Sequence, residues 1–324
     1  MDALDLRILR ETSRGRVMWW GSSDPRLSIR EVARRLRVDV ATISNRLRKW
    51  QRVGFLVSYS AVPNPLLLNA KMAGGGVRVP DPRLKERVLA DLGLIEGAAF
   101  AIDQVGPWIV VMFVYETEGS LDRCSRLARR IPGVAEMEPC VPFRCPATTL
   151  TPSALDWRIL DALHRNPRAS IAASARTVGI STKTFARRYD ALIRDNAVWS
   201  VPVLDFTRYE GATLARFIVR AAPDMGVSDV LGRLETRFPS YILLEDQSKL
   251  PESLPVPMKL FSLFLHLSSA GEVEDAELEI RKVPGVEDVE VYFPRRLHVY
   301  DHWFAERLEA RGREEWKLPS RLHK

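Results

Sequence analysis

The sequence predicts an α+β protein in which one unit, helical in its first part and strand-rich in its second, occurs twice in tandem. The first observation is a repeated word, because ALDLRIL at Ala3–Leu9 returns as ALDWRIL at Ala154–Leu160. The second is a longer alignment of Pro25–Trp50 with Pro167–Leu192, at an offset of 142 residues. A repeat of this length is typical of a duplicated pair of domains and not of a solenoid.

A third repeat lies near the end of each unit, where IPGVAEMEP at Ile131–Pro139 aligns with VPGVEDVEV at Val283–Val291. The offset falls from 151 at the opening word to 142 in the second repeat, so the first unit carries nine extra residues. We place this insertion within Ser13–Pro25.

The first part of each unit is helical. Apolar residues recur at helical spacing in the opening word, and two further short helices follow it, joined by three or four residues. In the first unit Ser28 and Asp39 precede these two helices, and both residue types are good N-caps. Gly54 aligns with Asn196 after the third helix, and both tolerate the positive φ of a helix end. The pattern predicts a helix-turn-helix in each unit, and the apolar strand that follows predicts a wing.

The second part of each unit alternates strand and helix in the order βαββαβ, which is the ferredoxin-like split motif. In the first unit we predict four strands and two helices, at 70–79, 96–104, 107–116 and 134–142 and at 82–91 and 119–131. In the second unit the corresponding strands and helices are at 212–221, 240–246, 257–267 and 285–292 and at 227–237 and 271–282. A last helix, predicted at 297–310, has no counterpart in the first unit.

A helix-turn-helix followed by a βαββαβ module resembles the Lrp/AsnC (feast/famine) family of transcriptional regulators. The resemblance is carried by ALDxRIL, by SIREVARRLRVDVATISNRLRKWQRVGFL and by the IPGV before the last strand. Members of the family are single units that dimerise, so the resemblance implies a tandem duplicated form, a covalent pseudo-dimer whose two regulation domains pack sheet to sheet. The implied domains are helix-turn-helix domains at 1–60 and 151–205, AsnC-type ferredoxin-like domains at 66–147 and 211–296, and a C-terminal helix and tail at 297–324.

The resemblance also implies an effector site. The family carries a Gly-x-Tyr/Trp-Asp stretch at the entry to the third strand. The corresponding GPWIVV keeps Gly106 and Trp108 and has Ile109 in place of the aspartate. We therefore expect Gly106 and Trp108 to contact a small-molecule effector such as an amino acid.

Positive charge is concentrated in the two helix-turn-helix segments. Residues 25–55 carry a net charge of +7 and residues 167–197 a net charge of +4, whereas the whole chain carries +7, so the remainder sums to −4. A protein that binds the phosphate backbone needs such local basicity. We therefore predict double-stranded DNA as the partner and a transcription regulator that is not an enzyme.

The third helix of each unit is the predicted reading helix, and the arc opposite its apolar side carries residues able to contact DNA. Asn can read adenine and Arg can read guanine, whereas Lys and Thr serve phosphates. The first unit offers Ser28, Ala41, Thr42, Asn45, Arg46, Arg48, Lys49 and Arg52, and the second offers Ser170, Thr182, Lys183, Thr184, Arg187 and Arg188. Because the two sets differ, we predict an asymmetric operator, and Asp190 on the second helix makes that copy the weaker reader.

Composition and residue spacing also bear on membrane segments, metal sites and the glycine-rich stretch of the chain. The longest apolar run, Trp108–Tyr115, is too short to span a bilayer, and the N-terminus is not a signal peptide, so we expect a cytoplasmic protein that does not bind membranes. His298 and His302 stand four apart on the predicted last helix but lack a third ligand, so we predict neither a metal nor a cofactor. The glycines of Met72–Val77 predict a strand with a bulge or a close backbone approach.

Two other functions stay open at this point. Siroheme decarboxylases, whose ferredoxin-like halves hold a tetrapyrrole, share the fused two-unit architecture, but they carry a histidine after the helix-turn-helix and residues 57–75 contain none. A scaffold that binds protein partners is the third function. We also expect a homo-oligomer, a dimer of pseudo-dimers.

Overall fold

The computed structural model describes residues 2–12, 29–143, 145–208, 211, 213–238, 242–243 and 260–314. The whole segment in which we place the insertion, Ser13–Pro25, and the candidate residue Ser28 lie outside these ranges. Helices and strands both occur along the chain, and the strands form sheets of different sizes, so the fold is α+β as predicted. Within the described ranges, no helix combines the length and the apolar character needed to cross a membrane.

The first half of the chain contains five helices and six strands in its described part. The helices are α1 (Ala3–Thr12), α2 (Ile29–Leu36), α3 (Val40–Arg52), α4 (Lys85–Leu92) and α5 (Glu118–Arg129). The strands are β1 (Leu56–Pro63), β2 (Lys71–Arg78), β3 (Ala98–Gln104), β4 (Trp108–Tyr115), β5 (Glu136–Met137) and β6 (Val141–Phe143).

The second half also has six strands among its described residues, follows a similar order and ends with one additional helix. The helices are α6 (Ala154–Arg165), α7 (Ile171–Val178), α8 (Thr182–Arg194), α9 (Val227–Arg237), α10 (Ala270–Arg281) and α11 (His302–Glu314). The strands are β7 (Val198–Leu204), β8 (Thr213–Ala221), β9 (Ile242–Leu243), β10 (Leu260–Leu267), β11 (Val286–Tyr292) and β12 (Pro294–Val299). We call α1–α3 head 1 and α6–α8 head 2.

Two sheets are built from the strand-rich parts. Sheet 1 has the order β12-β3-β4-β2, and both β5 and β6 pair with the outer side of β2. Sheet 2 has the order β11-β8-β10-β9. Strand β12 comes from the end of the chain yet pairs antiparallel with β3, so the C-terminal part completes the edge of sheet 1.

A two-stranded antiparallel ribbon of β1 and β7 joins the two heads. Tyr59 lies opposite Pro202 and Ser60 opposite Val201. Adding 142 to Tyr59 gives 201, and subtracting 142 from Pro202 gives 60, so the repeat offset converts one pair into the other. The centre of the ribbon is therefore equivalent to itself under exchange of the two strands.

The largest hydrophobic core joins head 2 to sheet 1. It contains Met112 and Val114 of β4, Trp157 and Leu160 of α6, and Phe304 of α11, all nearly inaccessible to solvent. Phe264 of sheet 2 also belongs to this core, so side chains of both sheets meet in it. The outer faces of the sheets are covered by α4 and α5 and by α9 and α10, respectively.

Head 1 has a smaller core of its own. Ile8, Ile43, Leu47 and Trp50 are buried together with Phe55 at the start of the ribbon. Edge-to-face contacts run from Trp50 to Phe55 and on to Phe206, with ring centroids 5.4 and 5.3 Å apart. The two heads are therefore attached to the rest of the molecule through different sets of side chains.

The glycines of β2 allow the close approach that the sequence predicted. A Cβ on Gly76 would lie 2.7 Å from Cδ of Glu138, whose carboxylate accepts the Gly76 N–H at 3.0 Å. The predicted strand 134–142 is divided into β5 and β6, because the register against β2 shifts by one residue between them. The Glu138 N–H still donates to the Gly76 carbonyl in the register of β5, whereas Val141 of β6 already lies opposite Gly74.

The predicted helix at 297–310 is wrong in its first part. Residues up to Val299 form strand β12, and the helix starts at His302. The apolar residues Leu297, Tyr300 and Phe304 have helical spacing, but the open edge of β3 supplies partners for an extended backbone. His298 and His302 consequently lie on different elements, so the two imidazoles do not have the i, i+4 helical arrangement that their spacing suggested.

Candidate nucleic-acid interface

Helix α3 of head 1 presents its predicted reading arc to solvent. Ile43, Leu47 and Trp50 point into the core, and the opposite arc is exposed at Ala41, Asn45, Arg48, Lys49 and Arg52. Thr42 and Arg46 are half-buried at its flanks. Asp39 occupies the N-cap position, but it uses its backbone carbonyl, which accepts the Thr42 N–H at 3.0 Å, and its side chain makes no capping bond.

Helix α8 of head 2 is placed in the same way. Phe185, Tyr189 and Leu192 are buried, and the exposed arc carries Thr182, Lys183, Arg187 and Asp190. Among the described residues, none of Arg48, Arg52, Lys183 and Arg187 forms an ion pair with a carboxylate. These four cations are therefore available to a polyanion.

Two of the predicted contacts in head 2, Ser170 and Thr184, take part in helix capping. Ser170 is the N-cap of α7 and accepts a hydrogen bond from the Ala173 N–H at 3.1 Å. The Thr184 hydroxyl lies 2.9 Å from that of Ser181, which caps α8 by accepting the Thr184 N–H. Both hydroxyls are thus engaged within the protein, although Ser170 remains exposed.

Arg46 and Arg188, also predicted as DNA contacts, are bound to carboxylates of the preceding helices. Arg46 Nη1 donates to Asp5 Oδ2 at 3.3 Å and also contacts the carboxylate of Asp2. Arg188 Nη1 donates to Asp156 Oδ2 at 3.3 Å. The repeat offsets convert Asp5 into Asp156 and Arg46 into Arg188, so the same ion pair occurs in both heads.

A second interaction that occurs in both heads involves the arginine of the repeated word ALDxRIL. Arg7 Nη2 donates to the carbonyl of Leu36 at 3.3 Å, and Arg158 Nη2 donates to that of Val178. Each carbonyl lies at the C-terminus of the second helix of its head. The word ALDxRIL therefore supplies one carboxylate to the third helix and one guanidinium to the second. Sequence reasoning missed both roles, although the identity of the polar residues in the two copies was the available sign.

Basic residues of α2 are partly neutralised on the helix itself. Arg34 and Arg35 both donate to Glu31, with nitrogen–oxygen distances of 2.7–2.8 Å. These hydrogen bonds lower the pKa of Glu31 to about 2, so this carboxylate is ionised throughout the physiological range. The net positive charge that head 1 can offer DNA is thereby concentrated on α3.

The predicted effector residues Gly106 and Trp108 lie together at the β3–β4 turn. Their carbonyls, and that of Gln104, accept hydrogen bonds of 3.0, 3.2 and 2.7 Å from the ammonium group of Lys85. Lys85 is buried and also pairs with the carboxylate of Asp103. A lysine of this chain thus occupies the polar backbone groups of the turn, and it was not singled out in the sequence.

Among the described residues, no three potential metal-ligating side chains come together. His302 Nε2 lies 3.2 Å from the Ile95 carbonyl, and burial together with the nearby Arg296 guanidinium lowers the pKa of His298. His302 therefore contacts the protein backbone, and His298 is held in a partly buried position next to a cation.

Comparison with known proteins identifies one domain. The model of the AsnC-type helix-turn-helix domain matches residues 153–193, which comprise α6, α7 and most of α8. The match falls on head 2, the copy that the sequence ranked as the weaker reader. No curated protein is significantly similar in sequence.

Solved structures include one that extends over the whole architecture. The siroheme decarboxylase NirDL is 13% identical, with 94% of this chain and 98% of that chain covered and a TM-score of 0.50. The leucine response regulatory protein LrpA of Mycobacterium tuberculosis is 20% identical over 44% of this chain and 92% of its own, with a TM-score of 0.31. A transcriptional regulatory protein of the AsnC family from Pyrococcus furiosus is 21% identical over 44% and 88%, with a TM-score of 0.29.

The likeness to NirDL corrects one expectation. At 13% identity it shows the fold alone, but NirDL, which shares this fold over 94% of the present chain, is an enzyme. The expectation that the present chain is not an enzyme is therefore contradicted. The comparisons therefore establish that the chain contains an AsnC-type helix-turn-helix domain at residues 153–193. They also establish that its overall fold is similar to that of the siroheme decarboxylase NirDL.

Proposed function

We propose that the protein is a sequence-specific transcription regulator of the Lrp/AsnC type that binds double-stranded DNA through two unequal heads. The observation that carries this proposal is the AsnC-type helix-turn-helix match on head 2, whose helix α8 exposes Lys183 and Arg187. Head 1 presents a comparable arc with Asn45, Arg48 and Arg52. Exposed Asn and Arg side chains on a helix of this kind are suited to base edges in the major groove.

The chain is then a covalent pseudo-dimer with the domain limits predicted from the sequence. Support comes from the self-equivalent register of the ribbon and from the repeated Asp–Arg pairs of the two heads. A two-fold relation between recognition helices is what reading two half-sites of a duplex requires. The C-terminal segment from 297 onward joins this frame through β12 and α11.

Regulation by a small molecule and assembly into a dimer of pseudo-dimers extend the same proposal, as does a cytoplasmic location beside the chromosome. Because Lys85 fills the polar groups of the β3–β4 turn, an effector at Gly106 and Trp108 would have to use the exposed side of that turn. Amino acids added to DNA-binding reactions test this point.

The proposal is tested by selecting duplexes from a random pool with the purified protein and measuring their affinity by fluorescence anisotropy. We expect a Kd that rises steeply with salt and a preference for the selected duplex over a scrambled one. Replacing both Lys183 and Arg187 by Ala should weaken binding, whereas Arg126→Ala, which removes an exposed arginine of α5, should not. Absence of salt-sensitive binding would refute the proposal and favour a protein-binding scaffold.

A second candidate is a tetrapyrrole decarboxylase like NirDL, with an iron tetrapyrrole as substrate. Besides the shared fold, one histidine favours it, since His164 has its Nδ1 fixed 2.8 Å from the Ala61 carbonyl while its buried Nε2 has no hydrogen-bond partner in the described residues. An imidazole held in this way can face a metal. Purified protein mixed with siroheme should then develop a bound absorption band near 400 nm that His164→Ala abolishes, and an unchanged spectrum would exclude this candidate.

A further inference from the structure

The carboxylate of Asp5 lies where it can set the orientation of the reading helix of head 1. Asp5 is fully buried, and its two oxygens contact two successive turns of α3. Oδ1 accepts a hydrogen bond from the indole N–H of Trp50 at 3.2 Å, and Oδ2 accepts one from Arg46 at 3.3 Å. Because residues 46 and 50 are one turn apart, one carboxylate fixes both the rotation and the position of α3 against α1.

The remaining contacts of α1 make this carboxylate rigid. Asp2 is the residue before α1, and its Oδ1 accepts the backbone N–H groups of Leu4 and Asp5, both at 3.0 Å. Asp5 Oδ2 accepts the N–H of Asp2 in return at 3.1 Å. The Asp5 N–H and the Arg46 guanidinium lower the pKa of Asp2, which keeps its charge next to Arg46.

Head 2 has only half of this arrangement. Asp156 binds Arg188 at 3.3 Å and forms a capping box with Ser153. The position equivalent to Trp50 is Leu192, which has no donor, so only one turn of α8 is tied to the carboxylate. The repeated word thus holds the reading helix at two points in head 1 and at one point in head 2.

We infer that Asp5 is a positioning residue for DNA recognition by head 1, acting through Trp50 and Arg46 rather than by touching DNA. The inference rests on the proposed DNA-binding function. Base contacts need a side chain placed within a few tenths of an ångström, whereas contacts to phosphates tolerate small displacements of the helix. Loss of the two-point contact should therefore reduce sequence discrimination and leave non-specific affinity intact.

The experiment compares the wild-type protein with Asp5→Asn, using the duplex selected by the wild-type protein and a scrambled duplex of equal length. We expect Asp5→Asn to weaken binding to the selected duplex about tenfold, the loss of one well-placed base contact, with an unchanged Kd for the scrambled duplex. Trp50→Phe keeps an aromatic ring in the core but removes the N–H donor, and it should cause a smaller loss of the same kind. Asp156→Asn in head 2 is the matched comparison and should reduce discrimination less than Asp5→Asn.

The possible results distinguish failure of the proposed DNA-binding function from failure of the positioning role of Asp5. If the wild-type protein binds neither duplex, the proposed function fails. If it discriminates between them and Asp5→Asn discriminates equally well, the positioning role is refuted. If Asp5→Asn loses affinity for both duplexes in parallel while Trp50→Phe changes nothing, Asp5 has only a structural role and the inference is overturned.

Discussion

Single residues on α3 fall into two groups that look alike in the sequence. Asn45 and Arg48 are exposed on the reading arc, whereas Arg46, their neighbour, is bound to Asp2 and Asp5. The basic face was predictable from spacing, since 3.6 residues per turn assigns the buried side. The internal partner of Arg46 was not predictable, because it depends on where α1 crosses α3 in three dimensions.

This division predicts different outcomes for neighbouring substitutions. Asn45→Ala and Arg48→Ala should each weaken binding to the selected duplex by about 1–3 kcal/mol, because each removes a side chain proposed to contact a base edge. Neither should lower the thermal stability of the protein, since both side chains project into solvent. Anisotropy titration with a melting curve of each variant checks this, and full affinity in both would move recognition to head 2.

The surroundings of another single residue, His298, lead us to expect that the stability of the protein depends on pH. Burial and the nearby Arg296 guanidinium lower its pKa below the ordinary value of 6.5, against the opposing influence of Glu86, Asp103 and Asp205. The folded protein therefore binds a proton less readily than the unfolded chain, so the contribution of neutral His298 is complete above pH 6.5 and is lost as the pH falls towards the lowered pKa.

His298→Gln, which cannot be protonated, should remove that part of the dependence. Urea midpoints measured at pH 7.5 and 5.5 should fall less on acidification in the variant than in the wild type. Parallel falls in the two proteins would show that other groups account for the effect.

Among the elements, strand β2 shows how a sequence pattern can be predicted while its partner cannot. Its glycines indicated a close approach of backbone, and the approaching group is Glu138 between β5 and β6. A Cβ on Gly76 would also come within 3.1 Å of the Trp108 ring. Gly76→Ala should destabilise the protein by about 1–3 kcal/mol through overpacking. Chemical denaturation of Gly76→Ala with and without Glu138→Ala tests this, because the second change should restore part of the loss, and equal losses would place the clash elsewhere.

Strand β12 shows the opposite case, in which local spacing misled. Leu297, Tyr300, Phe304 and Leu308 follow a helical pattern, yet residues 294–299 pair with β3 of the first half of the chain. The Tyr300 N–H then donates to the Ala99 carbonyl at 2.8 Å and its hydroxyl to the Leu89 carbonyl at 2.6 Å. The secondary structure of this segment is determined by a hydrogen-bonding partner about 200 residues away in sequence. The local pattern of apolar residues contains no information about that partner.

Over the whole molecule, the two halves of the chain are nearly symmetrical in the ribbon and in their Asp–Arg pairs but asymmetrical where the heads join the sheets. Head 2 shares one continuous core with sheet 1 and α11, in which Arg307 also binds Glu96 and Glu116 at 3.2 and 3.0 Å. Head 1 keeps its own core and reaches sheet 2 through Phe206, whose ring stacks on His266 at 5.9 Å. The sequence predicted the copies and their order, whereas these unequal attachments depend on tertiary packing.

Unequal attachments and unequal reading arcs together predict an operator without dyad symmetry. Head 1 offers Asn45 and Arg48 where head 2 offers Arg187 and Asp190, so the half-sites should differ in sequence. Duplexes selected by the wild-type protein should align into one oriented motif, and the pool selected by Asn45→Ala with Arg48→Ala should keep only the half-site read by head 2. A perfectly palindromic motif from the wild-type protein would contradict unequal reading, because both heads would then recognise the same bases despite their different side chains.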